Sequence, residues 1–361
     1  MFLINTYFKK SFFEYLKIFA FTYIGFILVI FLFDMLELSR ITSKYSLSFT
    51  MVMKLSLMKN YSSLSKTTSM IVLVSSLIYF NLKKKNNELI AAKSIGISNL
   101  KIVLPVISVV FIFGVCNITI INPIGSMLLK KYQNYEAHNF KKQTSLVSLS
   151  KSGIWLKNKL NNENLIINAL RVSQLSNTMN DIKIFFINKN GGLERQIFAK
   201  SILFRDEDIV IKEPMIFDKN FYIKKEKEII LPVKISISQI FENLATIETI
   251  SFFQLLEFIK ITEESGLSTT KYLLYFIKEL LSPLYIISMS MISFFFINRS
   301  TNRKKFDLSP LYCLAVGFIV FFSTNFIHTL GLSGNISLYL AVLFPVIVSN
   351  LLALYLILYK N

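Results

Sequence analysis

With 361 residues, 53% of them hydrophobic, and a mean hydropathy of +0.52, the chain is too apolar for an ordinary water-soluble protein and too long for a single membrane span. Its formal charge of +18 resembles a nucleic-acid signal, but Pro123–Thr270 holds 20 basic against 16 acidic side chains. Most of the excess therefore flanks apolar runs, where membrane orientation and anionic lipid account for it, and no nucleic-acid partner is expected.

Lys9, Lys10 and Lys17 precede a long apolar run with no small-residue cleavage pattern, which predicts an uncleaved first span over about residues 19–36. At its far end Asp34, Glu37 and Arg40 recur at a spacing of three, so all three share one helical face. Charges at this depth either mark the membrane boundary or face a polar cavity. Ile41–Lys66 is polar and predicts a helix or helix pair lying along the interface, with a second span over 67–82. Lys83–Leu100, KKKNNELIAAKSIGISNL, then reads either as a solvated loop or as a short helix within 86–97. In the helical reading Asn86 or Asn87 caps it through the side chain, Glu88 sits where the helix dipole favours an anion, Gly96 ends it and Ser98 starts the next helix.

A third span is expected over 102–121, ending before Pro123. Lys130–Lys142 is a charged, helical exit, and short β-rich runs follow: SGIWLK at 152–157, NLIINALRV at 164–172, DIKIFFI at 181–187, QIFAKSILF at 196–204 and DIVIKEPMIF at 208–217. Turn-forming NKNGG and RDED separate some of them, and the whole predicts one all-β domain with Trp155 as a core aromatic. Ile250–Ser268 reads as a return helix, followed by spans over 272–297, 308–330 and 338–358. Lys278 and Glu279 stand at the boundary of the first of these. The expected domains are 1–122 with three spans, 123–251 as the β-domain, and 252–361 with the return helix and three more spans. The short basic segments Lys83–Lys101, Arg299–Lys305 and Lys360 belong on the cytoplasmic side, which puts both termini inside and the β-domain outside.

Catalytic chemistry is not in view. Cys116 and Cys313 lie in apolar runs and give no disulfide framework, and His138 and His328 form no zinc pattern. His328 reads as a hydrogen-bonded core group. No phosphate-cradling glycine loop exists, so the chain is expected to be non-catalytic and to need no cofactor.

Several stretches carry a resemblance. NELIAAKSIGIS, with Glu88, Leu89, Ile90, Gly96, Ile97 and Ser98, is similar to the segment between the second and third spans of the LptF/LptG lipopolysaccharide-export permeases. SGIWLK around Trp155 resembles an early strand of the LptG-type β-jellyroll. Ser265–Leu267, Pro283 and Pro345 fall where that family has a re-entry motif and span prolines. The chain departs from the family pattern at Asp34, where some members carry a basic residue, and before the second span, where a common proline is missing. The resemblance implies six transmembrane helices in a 3+3 arrangement around an inserted all-β, jellyroll-like extracytoplasmic domain. It further implies a sister LptF-type permease, a dimer of an LptB-type ATPase, periplasmic bridge proteins of the LptC/LptA type, and lipopolysaccharide as cargo in the bacterial inner membrane. Under it, Glu88, Leu89, Ala92 and Gly96 couple the chain to the ATPase, and Asp34, Glu37, Arg40 and Trp155 line the lipid path. The alternatives are a permease of another ABC family and a membrane receptor whose external β-domain reports a ligand.

Overall fold

Long helices form wherever the chain lacks a breaker. The computed structural model describes residues 2–42, 48–139, 146–150, 153–160, 163–173, 178–187, 192–204, 208–218, 223–231, 246–264, 268–299 and 308–358. The expected turns at 188–191 and 205–207 and the Ser265–Leu267 motif lie outside these. The first helix, α1, runs Phe2–Thr42, and α2 runs Phe49–Lys85 for 37 residues. The interfacial helix expected before span two is instead the first half of α2. No glycine or proline interrupts it, and its hydroxyls bond back to the preceding turn, Ser56 to the Val52 carbonyl, Thr67 to Ser63 and Thr68 to Leu64.

A short helix, α3 (Glu88–Ser94), leads to α4 (Asn99–Cys116). The helix does not stop before Pro123. A π-turn at Asn117–Ile121 passes directly into α5 (Asn122–Asn139). Proline has no N–H to donate and its ring clashes with the carbonyl four residues back; the wider turn just ahead of it absorbs that misfit. The later helices are α6 (Phe252–Glu264), α7 (Thr270–Arg299), α8 (Ser309–Leu332) and α9 (Leu338–Leu358). Among the described residues six helical stretches are long and apolar enough to cross a membrane: Thr6–Arg40, Phe49–Lys85, Asn99–Glu136, Thr270–Arg299, Ser309–Leu332 and Leu338–Leu358.

The chain divides into two units, one of Met1–Tyr132 with Leu274–Asn361 and the other of Gln133–Leu273. The return helix α6 thus belongs with the β-region rather than with the later spans, and the first boundary falls inside α5 instead of at 122. In the helical unit Tyr15, Leu73, Phe80, Ile102, Met289, Ile292 and Phe294 form a continuous buried core. Ser293 on α7 donates to the Leu73 carbonyl on α2 at 3.0 Å. At Gly114 a Cβ would lie 2.8 Å from Pro283, so only glycine lets α4 meet α7 at that point.

The second unit is built on an antiparallel sheet. Its strands are β1 (Leu146–Ser150), β2 (Gly153–Leu160), β3 (Glu163–Ser173), β4 (Thr178–Ile187), β5 (Leu193–Phe204), β6 (Ile209–Lys212), β7 (Met215–Asp218), β8 (Ile223–Lys225) and β9 (Glu228–Leu231). The order is β1-β2-β3-β4-β5-β6-β9, with β7 also on β5 and β8 on β7. The run expected over 208–217 splits into β6 and β7 because Glu213 takes a left-handed φ of 52° next to Pro214, which has no N–H for the ladder. Strand alternation puts Ile154, Leu156, Ile167, Ile184, Phe186 and Ile197 on one buried face.

Candidate functional site

The link between α2 and α3 is a two-residue turn. Asn87 enters it with a left-handed φ of 58°, so the backbone turn, not the expected side-chain cap, starts α3. The end follows expectation. Gly96 has φ 84°, its N–H bonds the Lys93 carbonyl at 2.9 Å, and the Ile97 N–H bonds the Ala92 carbonyl at 3.1 Å. This is the paired hydrogen-bond stop that a left-handed glycine permits.

Leu89 and Ala92 were expected to face a partner. They point the other way: both are buried, with Ile97, in the helical core. The outward face carries Ile90 and Ile95, 58% and 66% exposed. Leu89 and Ala92 therefore seat the helix, and Ile90 and Ile95 are the apolar groups that it presents.

Glu88 is held by its own chain. The Lys83 Nζ donates to Glu88 Oε2 at 2.5 Å and also pairs with Glu14 on α1; Lys10 lies 3.7 Å from Glu14 and 3.9 Å from Glu88. Lys83 is only 6% exposed and stands over the Tyr79 ring at 5.7 Å, while Glu88 keeps a third of its side chain in solvent. Burial pushes the Glu88 carboxyl up, but the hydrogen bond from Lys83 and the charges of Lys83 and Lys10 outweigh it and hold it below the ordinary glutamate range. Sequence reasoning missed Lys10, Glu14 and Lys83 as partners, since their meeting depends on how α1 packs on α2.

At the other end of α1, Asp34 and Glu37 converge on Lys59 of α2, at 3.5 and 2.5 Å. Asp34 is buried, Glu37 exposed, and Arg40 stands exposed a turn further on. Asn60 beside Lys59 donates to the Ile27 carbonyl at 3.2 Å, fixing the same contact. Trp155 sits between the buried Ile154 and Leu156 and thus faces away from the sheet core, half-buried and stacked on Phe185 at 6.4 Å. Its expected place in the core is taken by its neighbours, because a strand sends successive side chains to opposite faces.

A cluster that the sequence did not single out lies among α2, the π-turn and α7 to α9. Ser65, Asn117, Lys278, Glu279, Ser282 and His328 line a cavity of about 70 Å³. Glu279 is buried. Among the described residues, neither ring nitrogen of the buried His328 has a hydrogen-bond partner, contrary to the expectation of a bonded core group; Ser282 Oγ is likewise unsatisfied.

The family model for the lipopolysaccharide export system permease LptF/LptG matches residues 11–359. The chain belongs to this family. It is accordingly a multi-pass protein of the bacterial inner membrane and a permease component of an Lpt export complex, which includes an ATPase and bridge partners. Comparison with individual curated proteins gives no match. In this LptF/LptG permease the six apolar helices and the inserted antiparallel sheet follow the plan read from the sequence.

Proposed function

We propose that this chain is the LptG-like subunit of the exporter, paired with an LptF-type sister permease on a dimer of an LptB-type ATPase. It extracts lipopolysaccharide from the inner membrane and passes it to periplasmic bridge proteins of the LptC/LptA type. The observation that carries this reading is α3, a two-turn helix between two spans, with Ile90 and Ile95 exposed on a chain whose family works with an ATPase. Exposed apolar side chains on so short a helix fit a groove on a soluble partner. Orientation follows from the basic short segments: α3 and both termini are cytoplasmic, and the β-unit is periplasmic.

In this arrangement Glu88 and its neighbours receive the motion of the ATPase, and the Asp34–Lys59–Glu37 group stands at the outer end of the first span, where a charged lipid headgroup would enter. The β-unit then takes the acyl chains; Ile154 and Leu156, which face its apolar interior, are better crosslinking positions than Trp155. Copurification tests the assembly. An affinity-tagged chain should bring down an ATPase and a second permease, and recovery of neither would remove the proposal. Glu88→Ala should lower ATP-driven lipid extraction about tenfold, the scale of one charge-assisted contact; unchanged extraction would strip Glu88 of this role.

A further inference from the structure

Four charges, Lys10, Glu14, Lys83 and Glu88, meet where three elements come together. Lys10 and Glu14 belong to α1, Lys83 to the last turn of α2, and Glu88 to the first turn of α3. Lys83 is the member within hydrogen-bond distance of both acids, Lys10 standing further off at 3.7 and 3.9 Å, and it is the least exposed of the four. An ammonium so far from water is tolerated only with full pairing, and removing it leaves the two carboxylates with only the more distant, solvent-exposed Lys10. A seven-residue helix has too few internal hydrogen bonds to hold its own shape, so its position is set by what it is tied to. Leu89, Ala92 and Ile97 tie it to the core without direction. The ion group adds a directional bond to α1 in particular.

We propose that Lys83 is a positioning residue that fastens α3 to α1, so that a displacement imposed on the docking helix moves the first span as a rigid body. This rests on the reading of α3 as the ATPase-docking helix. The path is short and stiff: α1 is one unbroken helix, and from Glu14 to Asp34 it covers about 30 Å at 1.5 Å per residue. Movement of the inner end is thereby delivered to the Asp34–Lys59–Glu37 group at the outer end. Glu88 then serves this chain first, as the acceptor of Lys83, and its docking contribution comes through the place it gives to Ile90 and Ile95.

The test uses the complete complex in proteoliposomes, with Lys83→Met, the milder Glu14→Gln, and the conservative Lys83→Arg. Lys83→Met and Glu14→Gln should keep the ATPase bound and hydrolysing ATP but release about tenfold and about threefold less lipid per ATP, as loss of a buried ionic contact would give. Lys83→Arg, which keeps two-pronged donation, should return coupling to within about twofold of the parent. Spin labels at Phe13→Cys on α1 and Ile95→Cys at the end of α3, both exposed positions, read the tie directly. Their distance distribution should be narrow in the parent and broad in Lys83→Met. Normal lipid release per ATP in Lys83→Met, failure of Lys83→Arg to rescue, or an unchanged distance distribution would each overturn the proposal. If the parent complex lacks an ATPase, the docking reading fails, and the distance measurement alone still decides whether Lys83 fastens α3.

Discussion

Two polar clusters in the helical unit are built on opposite terms. Around Lys83 two cations and two carboxylates meet, and the lysine stands within reach of both acids. About 22 Å away along α2, near Thr68, His328 and Ser282 line a cavity with buried polar atoms that no group among the described residues satisfies. Full pairing makes the first cluster a joint, because every charge has more to lose by moving than by staying. The second is unfinished as protein. A cavity needs only ~10–15 Å³ per water, so this one has room for several, and hydration is the physical way to complete it.

The contrast is open to attack from both sides. The largest effect should come from Lys83→Met, which removes the buried cation and should cost about 3 kcal/mol in unfolding of the purified chain in detergent. A cost under about 1 kcal/mol would mean that the cluster is solvated after all. Next comes Glu88→Gln, which keeps the shape and loses one charge, at about 1 kcal/mol. Acid titration sharpens this. Folding lowers the Glu88 pKa, so the unfolded chain takes up this proton at higher pH than the folded one. Its stabilisation is therefore complete above the ordinary glutamate pKa of about 4.3 and is lost as pH falls through the lower folded value. Glu88→Gln should flatten that limb of the stability curve, and an identical limb in parent and variant would contradict the sign of the shift. The smallest effect belongs to His328→Leu. Since no protein hydrogen bond is broken, it should change stability by at most about 1 kcal/mol, in either direction. Hydroxyl-radical footprinting should label the parent at Tyr285 in the cavity and spare Tyr15, which is fully buried and bonded to Ser75 and Ser76. Equal protection of both would show the cavity to be dry.

What could be read in advance follows from how local each signal is. Apolar windows long enough to span a bilayer need no partner to be recognised, and neither does the alternation of Ile182, Ile184 and Phe186 in β4. Gly96 announced the end of α3 for the same reason. The face of α3 was ambiguous, since Leu89, Ile90, Ala91 and Ala92 are all apolar and a two-turn helix gives no period to average over. The polar first half of α2 was misread as a separate interfacial element because Asn60 and Lys59 look solvent-facing until Ile27, Asp34 and Glu37 are placed against them. Trp155 was misplaced by the general preference of aromatics for cores, when the parity of its strand already put Ile154 and Leu156 on the opposite side.

The two ion groups on α1 and α2 set a limit on motion. From Lys59 to Lys83, α2 climbs about 36 Å at 1.5 Å per residue, slightly more than the ~30 Å of hydrocarbon in a bilayer. The same pair of rods is thus riveted twice, about a bilayer's thickness apart, by Asp34 and Glu37 at one level and Glu14 at the other. Neither rod slides past its neighbour without shearing a rivet, so under the proposed role a lateral opening for lipid runs along the outer flank of this two-helix plank and not down the seam within it.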